Sequence, residues 1–158
     1  MMKKKITMKN TMDKYRKMDL DDRDIWTATC SGKCKIEYTI PQGDRVDGQM
    51  TGSTGVVSVF ELKQRNCFAE RWDKYGWYMQ EDKWQALIDR MKKNKADQAL
   101  YITITTDWVY VWRVDNITPT FQNKRMTYST ATNYRENIVE KSVACLKPED
   151  CLWKVQRL

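Results

Sequence analysis

Three stretches predict an α/β (α+β) fold. Val56-Val57-Ser58-Val59-Phe60 is a β-branched and aromatic run, which reads as a strand buried on both faces. Residues 80–95 carry Trp84, Leu87, Ile88 and Met91 at i, i+3, i+4, i+7, the stripe of an amphipathic helix, with lysines in the last turn where the helix dipole favours them. Residues 100–105 and 108–114 alternate as strands across Thr106-Asp107, a hairpin pattern. At 158 residues the chain fits one domain able to bury a real core.

The central strand ends in charge. Glu61, Lys63 and Arg65 follow at a spacing of two, on the face that also carries Val57 and Val59, while Ser58, Phe60, Leu62 and Gln64 take the other. An unpaired charge is expensive to bury. A carboxylate and an ammonium projecting side by side from the end of a core strand therefore make a site that could hold a metal ion and a phosphate.

Before that strand, Met8, Met12, Tyr15 and Met18 lie at helical spacing within residues 6–18 and predict a first helix. Residues 19–24 read as an acidic loop or short turn. Residues 25–40 read as strand material on either side of Ser31-Gly32-Lys33, with arms at 27–30 and 35–40. Pro41-Gln42-Gly43-Asp44 is a turn signal, and residues 45–51 a short polar strand. Gly52-Ser53-Thr54-Gly55 turns the chain into the central strand as a hairpin. A five-residue loop pairs Thr51 with Val57 and so Asp47 with Glu61 on one face; a four-residue loop pairs Asp47 with Phe60. Both registers are open from sequence, and Asp47-Gly48 also reads as turn chemistry.

After the strand, residues 66–78 interleave Arg71, Trp72, Lys74, Tyr75, Trp77 and Tyr78. Basic and aromatic side chains together suit a nucleic-acid surface, and aromatics equally cover core edges. Residues 118–135 read as loop. Residues 138–146 fit helix or strand, and Lys147-Pro148-Glu149-Asp150 resembles a helix start with proline at the first helical position.

Composition narrows the chemistry. The net charge of +7 leans towards an anionic partner, nucleic acid being the commonest. The chain has no histidine, which removes Ser-His and Cys-His nucleophiles, imidazole bases and histidine-containing zinc sites. Five cysteines without a Cys-x-x-Cys pair are expected to be reduced thiols. The N-terminus is basic without an apolar segment, so the chain is expected to be cytoplasmic, neither secreted nor membrane-spanning.

The order helix, strands, Asp47 hairpin, Glu61–Lys63 strand, helix and further strand pair resembles the PD-(D/E)XK nuclease superfamily, whose signature is a hairpin Asp followed by Glu-x-Lys on the next strand. Here these are Asp47 and Glu61-Leu62-Lys63, fourteen residues from acid to acid. More distantly, the Glu61-to-Arg65 run, the helix start at Gln80 and the hairpin from Thr103 look like small phage-type nucleases of that group. A second Glu-x-Lys, Glu81-Asp82-Lys83, reads as helix surface.

The resemblance implies a restriction-endonuclease-like core, a mixed central sheet flanked by helices in the order helix-strand-strand-strand-helix-strand. It would span residues 6–115, with 116–158 as an extension packed on the same domain. It also implies hydrolysis of DNA phosphodiesters with Mg2+ or Mn2+ in a bacterial or phage-infected cell. Asp47, Glu61 and the Leu62 carbonyl would hold the metal. Lys63 would be the catalytic lysine, and Arg65, Gln80 and Lys83 would contact phosphate or nucleic acid. The oligomeric state is left open, a dimer included. The family's first helix often supplies a further acid; Asp13, Asp19 and Asp24 are the candidates. A catalytically silent nucleic-acid binder and a protein-interaction module are the alternative readings.

Overall fold

Val57–Gln64 forms the strand on which the rest of the sheet is built, and it is buried for most of its length. The structure, a computed structural model, describes residues 21–40, 44–127 and 138–157. Among these the order is α1 (residues 21–30), β1 (Cys34–Tyr38), β2 (Gly48–Gly52), β3 (Val57–Gln64), α2 (Ala69–Tyr75), β4 (Trp77–Gln80), α3 (Glu81–Asn94), β5 (Gln98–Ile104) and β6 (Trp108–Arg113). The order closes with β7 (Gln122–Thr127), β8 (Ile138–Leu146), a 3-10 turn over Pro148–Asp150, and β9 (Trp153–Gln156).

The main sheet runs β1-β2-β3-β5-β6-β9, and a smaller one runs β4-β8-β7. β3 and β5 are parallel and the other pairings antiparallel, so the sheet is mixed. A parallel pair needs a crossover, which the segment from α2 through β4 to α3 supplies. This is the mixed α+β architecture expected from sequence, with α2 and β4 added before the long helix.

Alternation along β3 divides the core in two. Val59 faces α3 and packs with Leu87, Ala99, Tyr101, Tyr110 and Trp112, joined from the small sheet by Trp77, Met79 and Leu146. Phe60 and Leu62 face α1 and pack with Trp26, Leu100, Ile102, Ile104, Val109 and Val111. Of the α3 stripe, Leu87 and Ile88 are buried, while Trp84 and Met91 pack at its margin.

Several local expectations are corrected. Residues 21–24 and the proposed strand arm 27–30 are one helix. That helix forms because Asp22, Arg23, Trp26 and Cys30, all buried, lie at i, i+1, i+4 and i+8 and share one side. Part of the expected loop 118–135 is β7, a polar strand held by pairing to β8 from Gln122↔Val143 to Thr127↔Ile138. Residues 138–146 resolve as strand. The expected last helix is one 3-10 turn with proline at its start, after which β9 joins the edge of the main sheet. The expected helix over 6–18, its candidates Asp13 and Asp19, and most of the turn at 41–44 lie outside the described residues. All five cysteines are free thiols, and among the described residues no helix is long and apolar enough to cross a membrane.

Candidate active site

Asp47 and Glu61 are brought together by the register of the β2–β3 hairpin. Thr51 pairs with Val57 and Gly48 with Phe60, which is the five-residue-loop alternative. One rung further, the Asp47 amide donates to the Phe60 carbonyl at 3.0 Å. The Asp47 Oδ2 then accepts the Leu62 amide at 2.7 Å. Gly48↔Phe60 is the last pair of the ladder. Asp47, one residue before it, is held against Phe60 and Leu62 by these two bonds, with its carboxyl in hydrogen-bonding reach of that of Glu61. In a strand the amide and carbonyl of one residue leave on the same side, so the Leu62 carbonyl also faces Asp47.

Gly48 explains why this register is held. A Cβ there would meet the Glu37 carbonyl at 2.6 Å and the Phe60 ring at 2.7 Å. The residue is glycine because a ring and a neighbouring strand close on its backbone. Asp47-Gly48 is therefore a strand entry, and the turn reading is set aside.

The site is charged and largely dry. Glu61 is only 8 % exposed. Burial, with the Asp47 charge second, pushes its carboxyl up to about 8, against a smaller opposing pull from Lys83. The Lys83 Nζ lies 3.1 Å from the Glu61 Oε1. Burial works to lower Lys83, and the Glu61 carboxylate outweighs it and holds the ammonium above its usual range. Lys63, two residues beyond Glu61 on the same face, is held below the ordinary lysine range by burial and by the charges of Arg65 and Lys83.

Two residues of α1 complete the arrangement, and sequence reasoning missed both. The Arg23 Nη2 stands 3.6 Å from the Asp47 Oδ1. It is fixed there by a bond from its Nη1 to the Thr39 carbonyl and by the Tyr38 ring 5.1 Å away. Asp22 is buried, and its charge favours the protonated form of Lys63. Among the described residues, Asp22 is the buried acid of α1 whose charge acts on Lys63, while Asp24 is exposed. Tyr101, paired with Glu61 in the parallel ladder, is likewise buried beside it.

Asp47, Glu61, Lys63 and Lys83 thus converge. Arg65 is engaged elsewhere: its guanidinium covers the Trp72 ring at 4.5 Å and donates to the Tyr78 carbonyl at 3.2 Å. Gln80 closes β4 and caps α3, with its backbone paired to Val143. It precedes Lys83 by one helical turn.

Asp47, Glu61 and the Leu62 carbonyl are hard oxygen donors of the kind that Mg2+ or Mn2+ takes while keeping waters. The upward shift of Glu61 beside Asp47 is relieved by a cation placed between them. Among the described residues no group of three or more His, Cys, Asp or Glu that could hold a metal ion occurs.

No family model matches the chain, and no curated protein matches it. Among solved structures, the chain is similar to that of Archaeoglobus fulgidus Hjc, a Holliday junction resolvase from an archaeal hyperthermophile. The identity is 11 % over 78 % of this chain and 86 % of that one, with a TM-score of 0.46. This is a distant likeness of overall shape.

Proposed function

We propose that the protein is a metal-dependent nuclease that hydrolyses phosphodiester bonds in DNA, with Asp47 and Glu61 as metal ligands and Lys63 as the catalytic lysine. The observation that carries this reading is the closeness of the Asp47 and Glu61 carboxyls where β2 enters beside β3, with Asp47 tied by its bond to the Leu62 amide. A bound Mg2+ or Mn2+ would supply polarisation of the scissile phosphate and acidification of a water. Asp47, Glu61 and the Leu62 carbonyl would hold it. Lys63, with its depressed proton affinity, orients or deprotonates the attacking water and offsets charge on the phosphoryl oxygens. Lys83 holds the Glu61 carboxylate and, with a cation there, would turn to a phosphate oxygen. The Asp22 charge opposes part of the depression of Lys63.

The test is incubation of plasmid and single-stranded DNA with Mg2+, Mn2+ or EDTA, comparing the wild type with Glu61→Ala and Lys63→Ala. Metal-dependent cutting lost in both variants supports the reading; cutting that survives either refutes the assigned roles.

One observation favours a second reading. Arg23 and Lys83 already offset Asp47 and Glu61, as in a site that has exchanged its metal for fixed cations. A nucleic-acid binder without catalysis would retain DNA at low salt, lose it steeply as salt rises and never cut.

A further inference from the structure

The core does not account for the outer face of α2. Phe68 is 61 % exposed and Tyr75 55 % exposed, although both rings could bury large apolar areas. Phe68 is the extended N-cap residue at the head of α2, and Arg71 and Tyr75, at i and i+4, share one side of the helix that follows it. Cations flank the outer ring: the Arg71 guanidinium lies 5.8 Å and the Lys74 ammonium 5.9 Å from the Tyr75 centroid. Trp72 borders the same face and carries Arg65 on it. The acids of the helix turn away from this side, and Asp73 is occupied in accepting the Trp77 indole at 2.9 Å.

The face is fixed in place. The Asp107 Oδ1 accepts the Ala69 amide at 2.8 Å, and the Cys67 carbonyl accepts the Thr106 amide at 3.0 Å. These bonds tie the start of α2 to the β5–β6 turn, at the end of β3 where Lys63 and Arg65 lie. Trp77, which sequence reasoning grouped with this surface, is instead buried in the core.

We infer that the Phe68–Arg71–Tyr75 face of α2 is a stacking platform for the unpaired bases of a DNA strand leaving the candidate site. Rings stack on any base, and Arg71 and Lys74 beside them meet the phosphates. Seven residues of rise set positions 68 and 75 about 10 Å apart along the helix axis, so the face spans more than one base. A duplex offers its backbone and groove edges and hides the faces of its bases, so exposed rings favour DNA with a splayed end, flap or gap. The proximity to a scissile phosphate rests on the nuclease reading; the stacking face does not.

The test is fluorescence anisotropy in EDTA, where no cleavage occurs, with labelled oligothymidylate, a blunt duplex, and the same duplex with splayed single-stranded ends. Wild type is expected to bind the first and third at least about tenfold more tightly than the blunt duplex. Phe68→Ala and Tyr75→Ala each lower that affinity about tenfold and leave blunt-duplex binding within about twofold. Tyr75→Phe keeps the ring and keeps binding. Tyr75→Glu, at an exposed position, keeps the wild-type melting temperature and loses oligothymidylate. Equal affinity for blunt and splayed DNA, absence of DNA binding, or a preference that survives the Phe68→Ala/Tyr75→Ala double variant would overturn the inference. Splayed-end preference without metal-dependent cutting would instead strike the nuclease reading alone.

Discussion

The Asp47 carboxylate accepts the backbone amide of Leu62 at 2.7 Å, so one acidic side chain both closes the β2–β3 ladder and stands beside Glu61. Structure and proposed chemistry meet in that bond. The same oxygen pair that fixes the register also raises the proton affinity of its neighbour.

The pH dependence of stability follows from Glu61. Its carboxyl is raised from an ordinary 4.5 to about 8, so the folded state binds the proton more tightly than the unfolded state. The resulting stabilisation is fully present below about pH 4.5 and is lost as pH rises through about 8. Glu61→Gln, which mimics the protonated form, is expected to melt like the wild type near pH 5 and above it near pH 9. Parallel thermal melts across this range check the sign; a Gln variant less stable than wild type at high pH would contradict it.

Gly48→Ala should damage the site without touching a charge. The new Cβ meets a backbone carbonyl at 2.6 Å and the Phe60 ring at 2.7 Å, and a strand carbonyl cannot yield cheaply. A loss of about 1–3 kcal/mol is expected by denaturant unfolding, together with loss of divalent-cation binding as Asp47 moves off its rung.

Arg65→Ala separates packing from phosphate contact. Arg65 lies over Trp72 and donates to the Tyr78 carbonyl, so its loss is expected to cost about 1–2 kcal/mol in stability through lost stacking and one charged hydrogen bond. Nucleic-acid affinity measured well below the melting point should change less than in Arg71→Gln. A variant with wild-type stability and sharply weakened DNA binding would return Arg65 to the phosphate-contact role.

Much of this was legible in the chain, for specific reasons. The β3 run, the Trp84–Met91 stripe and the β5–β6 hairpin have strong periods and few competing charges. The Thr51–Val57 register that brings Asp47 near Glu61 was visible only as one of two, because Gly48, which favours it, does so through a close approach of Phe60 and Glu37 from other strands. Helix α1 was hidden because its buried side includes Asp22 and Arg23, which do not register as an apolar stripe, and because Thr27 and Thr29 favour strands. β7 was hidden because Gln122-Asn123-Lys124-Arg125 has no alternation; backbone pairing to β8 makes it a strand. In residues 66–78 the chain spaces buried Trp77 and exposed Tyr75 two apart, and only the helix-to-strand break at Gly76 sends them to opposite environments.

Lys83 provides a direct check on the electrostatic balance. It lies 3.1 Å from the Glu61 carboxylate and pulls its proton affinity down. Lys83→Met is therefore expected to shift the Glu61 titration, followed by carboxyl-carbon NMR, further upward. Because the lysine side chain is 41 % exposed, the stability cost near pH 9 should stay below about 2 kcal/mol.

Calorimetric titration of Mn2+ in buffers of different ionisation enthalpy addresses the proposed Asp47–Glu61 cation site most directly. Wild type near pH 7 is expected to bind a divalent ion and release a proton, the one Glu61 holds. Asp47→Asn and Glu61→Gln should abolish binding. Lys63→Met should bind Mn2+ and fail to cut DNA. Binding that survives loss of both carboxylates, or a wild type that binds no divalent ion with DNA present or absent, would contradict the account.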